Sequence, residues 1–244
     1  MGEGGIVLRT ASVAMAAYNG ERFMAQQIDS VLEQLGPDDE LVVSYDASSD
    51  RTLEILDGYA ARDERVRVVE NDRPGVVGNF NSAIAACAKD VVFICDQDDV
   101  WVPGKRDAVM ARLNETGADL LIHNVVHIDA EGEVISRPLF EEYGIGPGLL
   151  RNFAAPRYSG CCMAFPQASK RLIMPMPEDV INYDHWVGMV CEALGSVTFM
   201  DDVYLRHRLH GDNVTTSRRS LGVIARQRLS LLRALARRRR ELRR

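Results

Sequence analysis

Long apolar runs are missing from this 244-residue chain. No stretch approaches the ~20 residues that cross a bilayer as a helix, which argues against a membrane-spanning segment. The opening Met1-Gly2-Glu3-Gly4-Gly5 has neither the basic nor the apolar region of a secretory signal. Ile6 stands where a myristoylation signal needs Ser or Thr. Cysteine is scarce: Cys87, Cys95, Cys161, Cys162 and Cys191 form no Cys-x-x-Cys pair. That argues against a zinc site or a disulfide frame and for free thiols in a reducing, cytoplasmic setting. The glycosylation-type triplets at Asn114 and Asn213 are then chance matches. There is no dinucleotide Gly-x-Gly-x-x-Gly fingerprint, no Gly-rich basic phosphate loop over residues 12–22, and no internal repeat.

The remaining composition is that of an ordinary globular protein, 46% hydrophobic and 26% charged. Its length suits one large α/β domain, or one domain plus an extension. Charge is unevenly spread. Residues 217–244 carry eleven arginines and one acid, Glu241, a net of +10; the whole chain is −6, which leaves −16 on residues 1–216. An acidic body with a basic tail points to an anionic partner for the tail.

Strand-like and helix-like segments alternate through the first half. Strands are expected at 13–17, 41–45, 66–70 and 91–95, with helices at 21–35, 51–61 and 78–88. This rhythm predicts a Rossmann-like mixed, mostly parallel sheet flanked by helices, with ligands outside the carboxyl ends of the strands. The polar clusters Tyr18-Asn19-Gly20, Asp46 to Asp50, Asn71 to Gly75 and Asp96 to Asp99 all fall there. In the second half a helix is expected at 105–114, a strand at 119–128, a long mobile loop at 137–158, a strand at 162–165, a helix at 184–194 and a strand at 197–200. Residues 219–243 read as a basic helix with an apolar stripe at Leu221, Ile224, Leu231, Leu235 and Leu242.

The run Val91-Val92-Phe93-Ile94-Cys95 reads as a buried strand that delivers Asp96-Gln97-Asp98-Asp99 to the sheet edge. Three carboxylates in four positions repel one another unless a cation lies between them. A hard divalent ion with oxygen ligands is the simplest candidate, and such ions commonly hold substrate phosphates. The competing reading is a solvated acidic turn.

Several motifs, in order over residues 11–216, resemble family 2 glycosyltransferases of the GT-A fold. They are Ala17-Tyr18-Asn19-Gly20, Asp46-Ala47-Ser48-Ser49-Asp50-Arg51-Thr52, Gly75-Val76-Val77-Gly78-Asn79-Phe80-Asn81 and Asp96-Gln97-Asp98-Asp99-Val100-Trp101 with Lys105 beyond. Later come Gly160-Cys161-Cys162-Met163-Ala164-Phe165, Tyr183-Asp184-His185-Trp186 and Arg208-Leu209-His210-Gly211-Asp212-Asn213-Val214. The acidic-Trp form and the closing Arg-x-His-Gly-x-Asn look most like the bacterial rhamnosyltransferase branch. Tyr45 stands where the family carries the first of two acids. Tyr183-Asp184-His185-Trp186 replaces the family's His-Asp before Trp.

The resemblance implies an inverting, metal-dependent transfer from a nucleotide sugar, dTDP-rhamnose or a UDP-sugar, to a hydroxyl. The acceptor would be a glycan, a lipid-linked chain or a small molecule. Ala17, Tyr18, Asp46, Asn79 and Asp96 would line the nucleotide-sugar site. Tyr18 offers a flat face to a base, or is an ordinary loop tyrosine; Asp46 can accept an imide N–H, while Asp50 caps the next helix. Asn79 lines the pocket or caps its helix. Asp96, Asp98 and His210 would hold Mg²⁺ or Mn²⁺, and Arg208 would face phosphate. Asp184 is the expected general base, with His185 its rival; Trp101 is expected to pack. The histidines at 123, 127 and 207 show no ligand spacing.

The expected organisation is a glycosyltransferase domain at 1–216 and an Arg-rich helix at 217–244. That helix would lie on an anionic membrane surface, pack on its own domain or join two copies; nucleic acid is disfavoured by the acidic body. A sugar nucleotidyltransferase and an inactive nucleotide-sugar-binding module are the competing functions.

Overall fold

The computed structural model describes residues 7–180, 182–210 and 220–244. Its first half follows the alternation of the sequence. Strand β1 (Ala11–Ala17) leads to α1 (Met24–Leu32), β2 (Glu40–Tyr45), α2 (Thr52–Arg62), β3 (Val66–Glu70), α3 (Val76–Ala86) and β4 (Val91–Asp96). These β–α–β connections make β1 parallel to both β2 and β4, and β2 parallel to β3. Buried on both faces, β1, β2 and β4 are near-continuous apolar runs.

Beyond β4 come β5 (Val100–Trp101), α4 (Lys105–Thr116), β6 (Leu120–Ile128), α5 (Leu139–Tyr143), α6 (Leu149–Ala154), β7 (Met163–Pro166), α7 (Lys170–Ile173), α8 (Tyr183–Leu194), β8 (Val197–Arg208) and α9 (Leu221–Glu241). The sheet runs β3-β2-β1-β4-β7-β6-β8-β5. β7 is antiparallel to β4 and β6, and β5 is antiparallel to β8. The mixed, mainly parallel sheet with flanking helices is the expected fold class.

Two expectations need correction. β8 does not stop at Met200. Its pairing with β6 skips from Met200 opposite His123 to Val203 opposite Asn124, so the exposed Asp201 and Asp202 form a bulge, and the strand resumes as far as Arg208. Segment 137–158 is not one long loop. It holds α5 and α6, fixed by buried Leu139, Phe140 and Asn152, whose amide donates to Glu192 at 3.0 Å.

The tail forms α9, and its apolar side docks on the domain. Leu231 and Ala234 are buried, and Leu235 and Leu242 pack against the core. Arg238 is also buried; it donates to the carbonyls of Arg171 at 3.1 Å and Pro175 at 2.7 Å, below the ring of Trp186. Trp101 packs as expected, 5.4 Å from the Phe93 ring. All five cysteines are free and buried. Among the described residues, no helix is long and apolar enough to cross a membrane.

Candidate active site

The strand order reverses at β1, between β2 and β4, which is where open α/β sheets leave room for ligands. Register puts Ala17 beside Tyr45 and Ala16 beside Asp96, so three strand ends finish at one edge. The loops beyond them are tied together. Gln97 brackets the Tyr18 backbone: its Nε2 donates to the Tyr18 carbonyl at 2.7 Å, and its Oε1 accepts the Tyr18 N–H at 2.9 Å. A Cβ at position 20 would collide with the Gln97 amide, so Gly20 is required for this bracket. Asn19 Oδ1 accepts the Ser49 N–H at 2.9 Å, and Asp50 accepts the N–H groups of Glu21 and Thr52, each at 3.0 Å. Asp50 was expected to cap α2, but Arg51 holds the cap position; Asp50 stands one residue before it and accepts the N–H of Thr52, the first residue of the helix. The result leaves the Tyr18 side chain pointing outward, 56% exposed.

Asp46 continues β2 and is nearly buried. Its Oδ2 accepts the Gly75 N–H at 2.9 Å, and Oδ1 accepts the Asn71 amide. It therefore holds the β3–α3 loop while retaining lone pairs for a further donor. Gly75 adopts φ +108°, a value that favours glycine, and a Cβ on Gly78 would strike the Arg73 carbonyl. Asn79 is not the helix cap; Gly75 is at that position. Buried in the first turn of α3, Asn79 donates its amide to the Ala17 carbonyl at 3.1 Å and so fixes the end of β1. Tyr45 uses its hydroxyl to accept the Ser48 N–H at 3.0 Å.

The acidic loop is crowded with charge. Burial, then Asp99 and Asp98, push the Asp96 carboxyl up to about 7. Burial and Asp99 also raise Asp98, against the opposing effect of His210, whose Nε2 lies 2.8 Å from Asp98 Oδ2. Asp99 is fully buried and behaves differently. Burial would raise it, but His207 Nδ1 at 2.8 Å and the Arg208 N–H at 3.0 Å hold it low. Reciprocally, burial would lower His207, but Asp99, with Asp96 and Asp98 behind it, pushes it up to about 10.

Two carboxyls raised above their ordinary range, beside an imidazole, fit a divalent cation with oxygen and nitrogen ligands. Asp96 and Asp98 are thus chemically suited to the metal expected there. A second grouping lies next door. Asp99, Cys161 and His207 present ligand atoms within 4.8 Å of one another and can hold an ion. Doing so would displace the proton that His207 shares with Asp99.

Across the edge, Tyr183 opens α8 and donates its hydroxyl to Asp96 Oδ1 at 3.2 Å. Its ring stacks on Phe80 at 4.1 Å, and the missing side chain of Gly160 leaves room for it. Burial and the Asp96 charge keep the phenol well above its ordinary pKa, hence protonated. Asp184 follows, half-buried in the first turn of α8, where its Oδ1 accepts the His185 N–H at 2.6 Å. His185 turns the other way. It is buried, Nε2 lies 3.2 Å from the Asn152 carbonyl, and burial together with Arg228 lowers its pKa to about 4. His185 is therefore neutral and packed against α6.

With this geometry in place, the match to known proteins is decisive. Residues 12–173 match glycosyl transferase family 2. This chain belongs to that family. Over 214 residues it is 26% identical to an uncharacterised glycosyltransferase of Nostoc sp., covering 83% of this chain and 65% of that protein. Over 129 residues it is 33% identical to the chondroitin synthase of Escherichia coli, covering 51% of this chain and 18% of the synthase. The chain thus spans less than two thirds of these relatives. The structure of S. aureus TarS 1–349 in complex with UDP-GlcNAc superposes with a TM-score of 0.71 at 19% identity, covering 94% of this chain and 66% of TarS 1–349. That likeness establishes the GT-A fold.

In this family 2 chain, three site residues escaped the motif reading. His207 had no ligand spacing, because its partner Asp99 is 108 residues away and is brought close by β5–β8 pairing. Tyr183 and Gln97 looked like neighbours of acids; they are the side chains that join Asp96 to α8 and the acidic loop to β1. Arg208 was expected to face phosphate. It is buried instead, donating to the carbonyls of Asp98, Asp129 and Ala130 at 3.0–3.1 Å and to Gln26 at 2.8 Å. It anchors the acidic loop from beneath. His210 lies beside Asp98, while residues 211–214 of the closing motif lie outside the described residues.

Proposed function

We propose that this chain transfers a glycosyl group from a nucleoside diphosphate sugar to an acceptor hydroxyl, with inversion at the anomeric carbon. The observation that supports the reading is that His210 meets Asp98 at the sheet edge where Tyr183, the chain neighbour of Asp184, donates to Asp96. Tyr18 stacks on the base and Asp46 accepts from its edge, while Ala17 and Asn79 set the strand end beneath. Asp184 takes the proton of the attacking hydroxyl, a contribution of ~10²–10⁴-fold for such a base. Attack forms the new glycosidic bond as the bond to the diphosphate oxygen breaks, and the nucleoside diphosphate leaves. Asp96, Asp98 and His210 would hold Mg²⁺ or Mn²⁺, which stabilises charge on the departing diphosphate. Tyr183, kept protonated, holds Asp96 in place.

By motif, dTDP-rhamnose is the first donor to try and UDP-sugars the second; the acceptor is a glycan, a lipid-linked chain or a small molecule. Release of nucleoside diphosphate from a donor panel with Mn²⁺ tests the reading. Turnover of at least one donor, lost in Asp184→Asn, is expected. Donor binding without turnover, unaltered in that variant, would instead identify an inactive binding module.

A further inference from the structure

Helix α9 has two working sides. Its inward side docks on the domain through Leu231, Ala234 and Arg238. Its outward side is not simply polar. Leu232, Ala236, Arg239 and Arg243 follow one another at four-, three- and four-residue spacing, which places them on one side of the helix. Leu232 is 50% exposed, as is Leu229 at 48%. Near the C-terminal end, Leu149, Ala193, Leu194, Leu235 and Ala236 floor an open groove of about 720 Å³, rimmed by Arg239, Arg240 and Arg243. Beside the groove Leu150 projects into solvent, 84% exposed.

The charge of this surface is not neutralised by the protein itself. The one acid of α9, Glu241, pairs with Arg238, and Asp179 pairs with Arg237. Among the described residues Arg239 and Arg243 have no ion-pair partner, and Arg240 donates to a carbonyl of its own helix. Meanwhile residues 1–216 carry −16 against the +10 of the tail. The molecule is therefore polarised, with exposed leucines set among unpaired guanidiniums. Leucines beside arginines on one helix face match a bilayer interface, where acyl chains accept the leucines and anionic headgroups the arginines.

We infer that the outward face of α9, with Leu149 and Leu150 of α6, docks on the surface of an anionic phospholipid bilayer. The inference rests on this surface and does not depend on the glycosyl-transfer reading. α8 rises ~1.5 Å per residue, so the groove beside Leu194 lies about 15 Å along the helix from Asp184. Docking there leaves the acidic edge free of the lipid.

Co-sedimentation of the full chain with vesicles tests the inference. Binding to phosphatidylcholine–phosphatidylglycerol vesicles is expected, weakening with salt, and little binding to phosphatidylcholine alone. Replacing Arg239, Arg240 and Arg243 together by Gln is expected to weaken binding roughly a hundredfold, since each basic side chain contributes a similar increment; replacing them by Lys retains it. Leu150→Ser is expected to remove the part of binding that survives high salt. The two lipid mixtures compare wild-type protein alone, so the result does not hinge on a variant folding. Equal binding to both mixtures, or none to either, would overturn the inference. So would a wild-type dimer in sedimentation that the triple Gln variant converts to monomer, because the face would then belong to a second copy.

Discussion

His210 Nε2 lies 2.8 Å from Asp98 Oδ2, across 112 residues of sequence. The contact joins the segment just past β8 to the loop just past β4, so a carboxylate on one element and an imidazole on another face the same point. Burial alone disfavours the Asp98 charge, and Asp99 adds to that. A cation bound between these groups would reverse the penalty, which makes the pair sensitive to metal in a way a surface ion pair is not.

Removing the metal is therefore expected to stop glycosyl transfer. Turnover should fall to background in EDTA and return with Mn²⁺ or Mg²⁺. His210→Ala is expected to weaken Mn²⁺ binding, read by titration calorimetry, and to raise the Mn²⁺ concentration needed for half-maximal rate. Undiminished turnover in chelator would remove the metal from the mechanism.

Asp184→Asn is expected to lower kcat by ~10²–10⁴-fold with little change in donor KM. The Asn side chain can still accept the His185 N–H, so the start of α8 and the melting temperature should be nearly preserved. His185→Gln serves as the contrast: it is expected to keep most of kcat, because His185 faces Asn152 and not the acidic edge. The reverse ranking of the two variants would transfer the base role to His185.

The first half of this fold was legible because each level agreed. The run from Val91 to Cys95 is apolar, buried and followed at once by its acids, and each helix lies between two such strands. The positions of Asp46, Asp96, Asp98 and Asp184 were legible because each lies at or just beyond the end of a periodic element. What was not legible depended on long-range pairing. The bulge at Asp201–Asp202 imitates a turn, and only the ladder with β6 reveals that the strand continues to His207 and Arg208. Helices α5 and α6, of five and six residues, are too short to signal themselves by periodicity and exist through packing. Arg208 looked like a phosphate ligand by residue type, but its direction is set by β8, which aims it under the loop.

Gly160→Ala is expected to damage the site without touching it. A Cβ there would overlap the Tyr183 phenol, which cannot swing aside because Phe80 packs on its ring. Losing the hydroxyl alone, in Tyr183→Phe, leaves the packing intact. The Ala variant should therefore lose both stability and kcat, and the Phe variant mainly kcat. Equal melting temperatures for Gly160→Ala and wild type would show that Tyr183 relocates freely.

His207→Ala would leave Asp99, fully buried, with the Arg208 N–H and the Cys161 thiol as donors but without its cationic partner. Breaking a buried pair in this way typically costs about 3–5 kcal/mol, so chemical denaturation should show a loss of that order. The pair's contribution also depends on pH. Because His207 is raised to about 10, its stabilisation is fully present below the unfolded value of about 6.5 and is lost as pH rises towards 10.

His185 has the opposite sign. Its pKa in the folded chain is lowered to about 4 by burial and by Arg228, whereas in the unfolded chain it is about 6.5. Below pH 6.5 the unfolded chain takes up a proton that the folded chain refuses, so stability falls as pH drops from 6.5 towards 4. At pH 5 the penalty is on the order of 2 kcal/mol. Above pH 6.5 His207 works the other way: its stabilisation grows as pH falls from 10 to 6.5 and is constant below that. Melting the wild type alone would mix the two effects. His185→Gln isolates one of them, since Gln can donate to the Asn152 carbonyl without titrating. Between pH 7.5 and pH 5 the wild type is expected to lose about 2 kcal/mol relative to this variant in urea unfolding. Parallel pH profiles would mean that His185 accepts its proton in the folded state, by turning away from Asn152.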